Sequence, residues 1–228
     1  EFSKKYSTIG FDKNSFRINQ LLKGLDETLE ISLDDITDSN LELTDSLDDI
    51  RNCNIYIVAV PTPVDQYNQP DLNILGEASK DISSILSKED IVIYESTVYP
   101  GATEEYCVPI LEKYSGLKYN TDFFCGYSPE RINPGDKEHT ITKIVKITSA
   151  SNIKAADFVD HLYNSIIDAG TYKVSSIAIA ESAKVIENIQ RDVNIALVNE
   201  LAMIFQNLNL DTEEILEAVR TKWNFLSF

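Results

Sequence analysis

Three apolar runs, residues 55–60, 91–94 and 123–127, each stop at a cluster of small polar residues and proline. The stops are Pro61-Thr62-Pro63, Glu95-Ser96-Thr97-Val98-Tyr99-Pro100-Gly101 and Ser128-Pro129-Glu130-Arg131. Runs this short and apolar suit buried strands, and helical patterns follow the first two at 72–86 and 103–114. Alternation of strand, loop and helix with short connections predicts an α/β fold around a doubly wound, mostly parallel sheet, not a sandwich or a barrel. In such a sheet the carboxyl ends of parallel strands open onto one crevice, so polar residues gathered there are better placed for chemistry than for packing.

The rest of the chain extends this pattern. Residues 8–12 read as a short strand ending in an acid, followed by helical spacing at Phe16, Leu21 and Leu22. Residues 26–49 hold ten acids and no Lys or Arg, which predicts a solvated acidic lobe linking two elements. Further strands are expected at 144–147 and 171–174, with a helix at 153–167 between them. From 176 to 208 no Pro or Gly interrupts a long helical pattern, and after Val193 it is apolar on nearly every face. A helix of that kind needs cover on all sides, so it either joins two domains or sits in a subunit interface. A shorter helix is expected at 212–220.

Composition excludes several classes. A net charge of −17 and a pI near 4.4 repel polyphosphate, so neither a nucleic acid nor an anionic membrane is expected as partner. No run of about 18 apolar residues occurs, and the first thirty residues have no signal-peptide pattern, so neither membrane insertion nor export is expected. Cys53, Cys107 and Cys125 are odd in number and share no C-x-x-C spacing, which argues against a disulfide framework and a thiolate zinc site and for a reducing cytosol. His139 and His161 lie far apart, so no metal site is expected.

Candidate residues follow from the strand ends. Asp12, with Arg17 five positions on, matches the acid that receives a ribose diol in dinucleotide-binding folds, which would favour NAD over NADP; a solvent-facing turn aspartate has the same local pattern. Lys184 and Asn188 stand one helical turn apart, so they project from one face as two donors for a developing alkoxide or as a polar stripe. Glu130 sits where a carboxylate could act as general base, or it could simply pair with Arg131. Thr62 and Thr97 could hold a nicotinamide or a water, or close turns. Cys125, within Phe-Phe-Cys, reads as a buried and inert thiol.

Taken together, ESTVYPGATEE (95–105), GYSPERINPGDKEH (126–139), AKVIENIQRD (183–192) and TKWNFLSF (221–228), supported by IGFD, VAVPTPVD and QPDL upstream, resemble the UDP-glucose/GDP-mannose dehydrogenase family. Within it they resemble the UDP-N-acetylhexosamine 6-dehydrogenase branch. The resemblance implies an oxidoreductase with a Rossmann-like domain that uses NAD to oxidise the sugar C6 alcohol twice, through a cysteine-bound intermediate, to a uronic acid for surface polysaccharide. It implies that Glu130 is the general base for hydrolysis, Thr97 its water-holding partner, and Lys184 and Asn188 the oxyanion stabilisers. Arg131, Ile132 and Asn133 fall in the segment that contacts the UDP-sugar, and Lys184, on the long helix, is implied to bind the sugar as well. Asp12 and Arg17 correspond to adenosine-ribose contacts, and Thr62 and Thr97 lie along the cofactor. The long helix corresponds to the family's interdomain and dimer helix, implying a cytoplasmic homodimer.

The same resemblance places a glycine-rich loop before Glu1 and a catalytic cysteine after Phe228, so the chain reads as an inactive fragment of a parent about twice as long. The expected division is 1–174 as a truncated NAD-binding domain and 175–228 as the long helix and the start of a helical dimerisation domain. A central first strand would then be absent, and the sheet would either close with an altered order or pair with another copy. Two other readings stay open: a β-hydroxyacid dehydrogenase, which accounts for Lys184 and Asn188 but not for the Glu130 loop, and a non-catalytic acidic interaction module.

Overall fold

How the short strands pair decides where the polar loops meet. The structure is a computed structural model that describes residues 1–27, 40–132 and 140–225. Strands β1 (Thr8–Phe11) and β2 (Leu41–Thr44) form a parallel pair of their own. Strands β3 (Ile55–Val58), β4 (Ile91–Tyr94), β5 (Phe124–Tyr127), β6 (Lys146–Ala150) and β7 (Thr171–Lys173) form a five-stranded sheet in that order. β3, β4 and β5 are parallel; β6 runs antiparallel to β5, and β7 parallel to β6.

All four side chains of β4 are buried, which explains an uninterrupted Ile-Val-Ile-Tyr where a half-exposed strand would alternate. Val92 and Tyr94 pack into one core with Leu75 of α2 (Asn73–Ser83) and Leu111 of α3 (Val108–Ser115). Ile91 and Ile93 pack into the other with Val159, Leu162 and Tyr163 of α4 (Ile153–Asn164). Helices on both faces therefore bury the central strand, each large apolar side chain contributing about 1.5–3 kcal/mol. Asn152 starts α4 by accepting the Ala155 amide at 2.9 Å, and Asn14 starts α1 (Ser15–Leu22) by accepting those of Phe16 and Arg17.

Two expectations need correction and one is narrowed. Of the two outcomes expected for the sheet, closure with an altered order is not seen among the described residues, which leaves pairing with another copy as the expectation: β1 bonds to β2, β3 to β4, and β1 and β3 line a cavity of about 440 Å³ with Ile9, Phe11, Ile55 and Ile57. Ile9, Phe11 and Leu47 pack against the core around Tyr56 and Val58, so apolar burial rather than a backbone ladder holds the small sheet in place. The acidic stretch is also not only a solvated link. Leu41-Glu42-Leu43-Thr44 has a strand's alternation and pairs with β1, while residues 28–39 lie outside the described residues. Finally, the strand expected at 144–147 spans Lys146–Ala150, because Thr148 and Ser149 find buried hydrogen-bond partners in Asp160 (2.6 Å) and the Tyr127 carbonyl (2.8 Å).

The long helix α5 (Ile177–Asn207) crosses the division between two compact units, 1–182 and 183–228. In the first unit its opening turns bury Ile177, Ala180 and Glu181. In the second unit α6 (Thr212–Arg220) is capped by Asp211, which accepts the Glu214 amide at 2.9 Å. Val193, Ile195, Leu197 and Met203 of α5 are half exposed, so among the described residues of the second unit the cover that an all-round apolar helix requires is not supplied. Among the described residues no helix is long and apolar enough to cross a membrane.

Candidate active site

The loops after β3, β4 and β5 are tied into one wall by hydrogen bonds from their own short polar side chains. The Thr62 hydroxyl donates to the Thr97 carbonyl at 2.6 Å, and the Ser96 hydroxyl to the Val60 carbonyl at 2.7 Å. Tyr127 Oη donates to the Ser96 carbonyl at 3.2 Å, and the Ser128 hydroxyl reaches the Ile147 carbonyl at 2.7 Å. These bonds satisfy carbonyls that would otherwise be stranded at the sheet's edge, and they fix the three loops to one another. Thr97 itself is exposed on this wall.

Glu181 secures the far end of the second loop. Its buried carboxylate accepts the Gly101 amide at 2.6 Å and the Thr103 amide at 2.9 Å, the latter opening the turn that leads into α3. Gly101 has φ +95°, a conformation that glycine adopts without strain. The loop that carries Thr97 is thus anchored to the first turns of α5 by a carboxylate that the sequence does not single out. A lone Glu in the apolar spacing of Ile177 and Ala180 was its only signal.

Glu130 lies in the loop after β5, a third of its side chain exposed. Its Oε1 accepts the amides of Arg131 and, at 2.9 Å, Ile132; its Oε2 lies 2.8 Å from the ammonium of Lys146. Burial pushes the Glu130 carboxyl up, but the Lys146 charge, its hydrogen bond and the two backbone amides outweigh burial and hold the group below its ordinary value. Lys146 also lies 2.9 Å from Glu95 Oε1 and 5.3 Å from the centre of the Tyr163 ring. Tyr163 donates its hydroxyl to the same Glu95 oxygen at 2.7 Å. Burial, then the Glu95 charge, pushes the Tyr163 phenol well above its usual value.

Lys146 is not marked by any motif in the sequence; its one signal is that a lone lysine inside an apolar strand asks for a partner. It reaches Glu130 because β6 runs antiparallel to β5: Gly126 lies opposite Ala150 and Tyr127 opposite Ser149. The start of β6 is therefore at the end where β5 finishes.

Asp12, at the carboxyl end of β1, lines the cavity shared with Val58–Pro61, is exposed, and accepts the Asn14 amide at 2.8 Å. Arg17 is paired with Asp26 at 2.5 Å. Arg131 and Ile132 continue the Glu130 loop, and Asn133 lies outside the described residues. Lys184 and Asn188 belong to the second compact unit, four residues apart on one face of α5. Cys125 is fully buried, and burial raises its thiol well above the usual range. Burial, eased by hydrogen bonds from Ser79 and Tyr94, takes the buried Cys107 up to about 11. Both fit inert structural thiols.

Residues 3–167 match the model of the UDP-glucose/GDP-mannose dehydrogenase family, NAD binding domain, and residues 178–228 match the family's central domain. Along all its length the chain is 58% identical to a UDP-N-acetyl-D-glucosamine 6-dehydrogenase of Pseudomonas aeruginosa and 55% identical to one of Salmonella typhi. It covers 54% of each, so the chain spans about half the length of the curated relatives it matches. The solved UDP-D-ManNAc dehydrogenase of Pyrococcus horikoshii aligns over 98% of this chain and 54% of its own, with TM-score 0.91 and 30% identity. In fold, in loop motifs and in these matches, the chain belongs to the UDP-glucose/GDP-mannose dehydrogenase family.

Proposed function

We propose that the protein containing this chain is an NAD-dependent oxidoreductase that oxidises the C6 alcohol of a UDP-N-acetylhexosamine to a carboxylate. The observation that carries this reading is Glu130, held by the Lys146 ammonium and two backbone amides in the loop after β5, in a chain whose relatives are named UDP-N-acetyl-D-glucosamine 6-dehydrogenases. Those relatives favour the glucosamine sugar, and a uronic acid product suits surface polysaccharide.

The residues present fit one side of an NAD site. Asp12 at a strand end offers a carboxylate to a ribose diol, with Arg17 nearby on α1, and the Thr62–Thr97 wall offers a rigid surface for the nicotinamide end. No G-x-G-x-x-G turn occurs in the 228 residues, so phosphate contacts of that type are not supplied by this sequence. NAD, when bound, supplies the hydride acceptor. Glu130 is assigned the base that takes a proton from water in the hydrolytic half, with Thr97 orienting that water. Lys184 and Asn188 are assigned to charge on the sugar oxygen, and Arg131, Ile132 and Asn133 with Lys184 to the UDP-sugar. Residues 1–174 are read as the NAD-binding part. Residues 175–228 are read as the beginning of a helical dimerisation part, whose half-exposed apolar residues on α5 fit a homodimer. A cytoplasmic setting fits the cysteine pattern.

The test is a substrate panel on the full-length protein, following NADH by absorbance with UDP-N-acetylglucosamine, UDP-N-acetylgalactosamine and a series of β-hydroxyacids. NADH formed with a UDP-sugar alone supports the reading. Turnover of a hydroxyacid with no response to any UDP-sugar would sink it, and silence with every substrate would favour a non-catalytic role.

A further inference from the structure

We propose that Lys146 is a positioning residue for the reaction assigned above, on which this inference rests: its ammonium locks Glu130 to Glu95 and fixes both the orientation and the charge of the base. The geometry comes from two loops and a strand. Lys146 begins β6, and its side chain is 3% exposed. A lysine buried so deeply needs paired charge to offset desolvation. It has two carboxylates, Glu95 Oε1 at 2.9 Å from the loop after β4 and Glu130 Oε2 at 2.8 Å from the loop after β5.

Neither carboxylate can turn freely. Glu130 is also held through Oε1 by the amides of Arg131 and Ile132, and Glu95 Oε1 takes the Tyr163 hydroxyl. Glu130 is the more open partner, at 33% side-chain exposure against 15% for Glu95, so of the two it is the one that solvent reaches. A base pinned and ionised there is ready to accept a proton without first reorganising. Among the described residues, the charged and titratable groups gathered around Glu130 include Lys146 from β6, Glu95 beyond β4, Tyr163 from α4, Tyr127 at the end of β5 and Arg131 on its own loop. Lys146 seats its ammonium on the Glu130 carboxylate.

Carbon-13 NMR of the Glu130 carboxyl against pH tests this in the 228-residue chain as wild type, Lys146→Met and Lys146→Arg. The wild type should titrate below 4.5, the ordinary glutamate value, and Lys146→Met should move the midpoint up by about one pH unit or more. Lys146→Arg should bring it back. A Lys146→Met midpoint equal to the wild type in a chain with native circular dichroism overturns the proposal. If Lys146→Met does not fold, the wild type decides. The Lys146 Nζ resonance must shift at the Glu130 midpoint, and two independent titrations overturn the clamp.

In the full-length protein the acid limb of kcat with UDP-N-acetylglucosamine should move up in Lys146→Met and return in Lys146→Arg. A lower kcat with an unmoved limb marks a merely structural lysine and overturns the proposal. A wild-type enzyme that forms no NADH instead refutes the assigned reaction, while the carboxyl titration still judges the clamp.

Discussion

Lys146 Nζ lies 2.8 Å from Glu130 Oε2, and it does so because β6 runs back alongside β5 rather than parallel to it. The reversal puts the first residue of one strand beside the loop that ends the other. Breaking this relationship should be costly, since removing the cation strands two carboxylates in a poorly solvated place. Lys146→Met should lower unfolding stability by about 3 kcal/mol, the low end for a broken buried pair because Glu130 is partly open. Urea denaturation at neutral pH measures it, and a loss under half that size would mean the pair is largely water-screened.

The same carboxyl sets an acid limit. The Glu130 value is lower folded than unfolded, so its contribution to stability is complete above the ordinary value of 4.5 and disappears as pH falls through the folded value. Urea midpoints of the wild type should therefore fall more steeply than those of Glu130→Gln below pH 4.5. Parallel curves would show that Glu130 gains nothing from its partners.

Glu181→Ala should leave the amides of Gly101 and Thr103 without their acceptor, costing roughly 1–3 kcal/mol and loosening the loop that carries Thr97. Hydrogen exchange at those two amides should quicken ahead of the amides of β4. Unchanged exchange would mean that the loop is held by its bonds to Val60, Thr62 and Tyr127 without Glu181.

The thiols should divide by depth. At neutral pH a water-soluble disulfide reagent should modify the half-buried Cys53 first, and Cys107 and Cys125 only on unfolding. Rapid modification of Cys125 in the native chain would contradict the packing of β5.

Much of this architecture can be read from the sequence, because burial on both faces leaves an unmistakable mark on a strand. Ile91-Val92-Ile93-Tyr94 reads as a buried strand and is one, and its loop is tied to those of its neighbours by short polar side chains. The long helix was equally plain from residues 177 onward. β2 was hidden because Leu41 and Leu43 alternate with residues that look like part of an acidic run. The boundary of β6 was misplaced because Thr148 and Ser149 are polar by type yet satisfied by tertiary partners. Strand direction leaves no mark in periodicity. The encounter of Lys146 with Glu130, which depends on that direction, was therefore beyond reach, whereas Glu130 itself was evident from its motif.

The most direct measurement is the stoichiometry of NADH per UDP-N-acetylglucosamine consumed by the full-length protein, read beside its Glu130→Gln variant. Two NADH and one uronic acid per sugar are expected in the wild type, with the rate of carboxylate formation in Glu130→Gln reduced by about 10² to 10⁴. A single NADH with an aldehyde product, no NADH at all, or an undiminished Glu130→Gln would contradict the account.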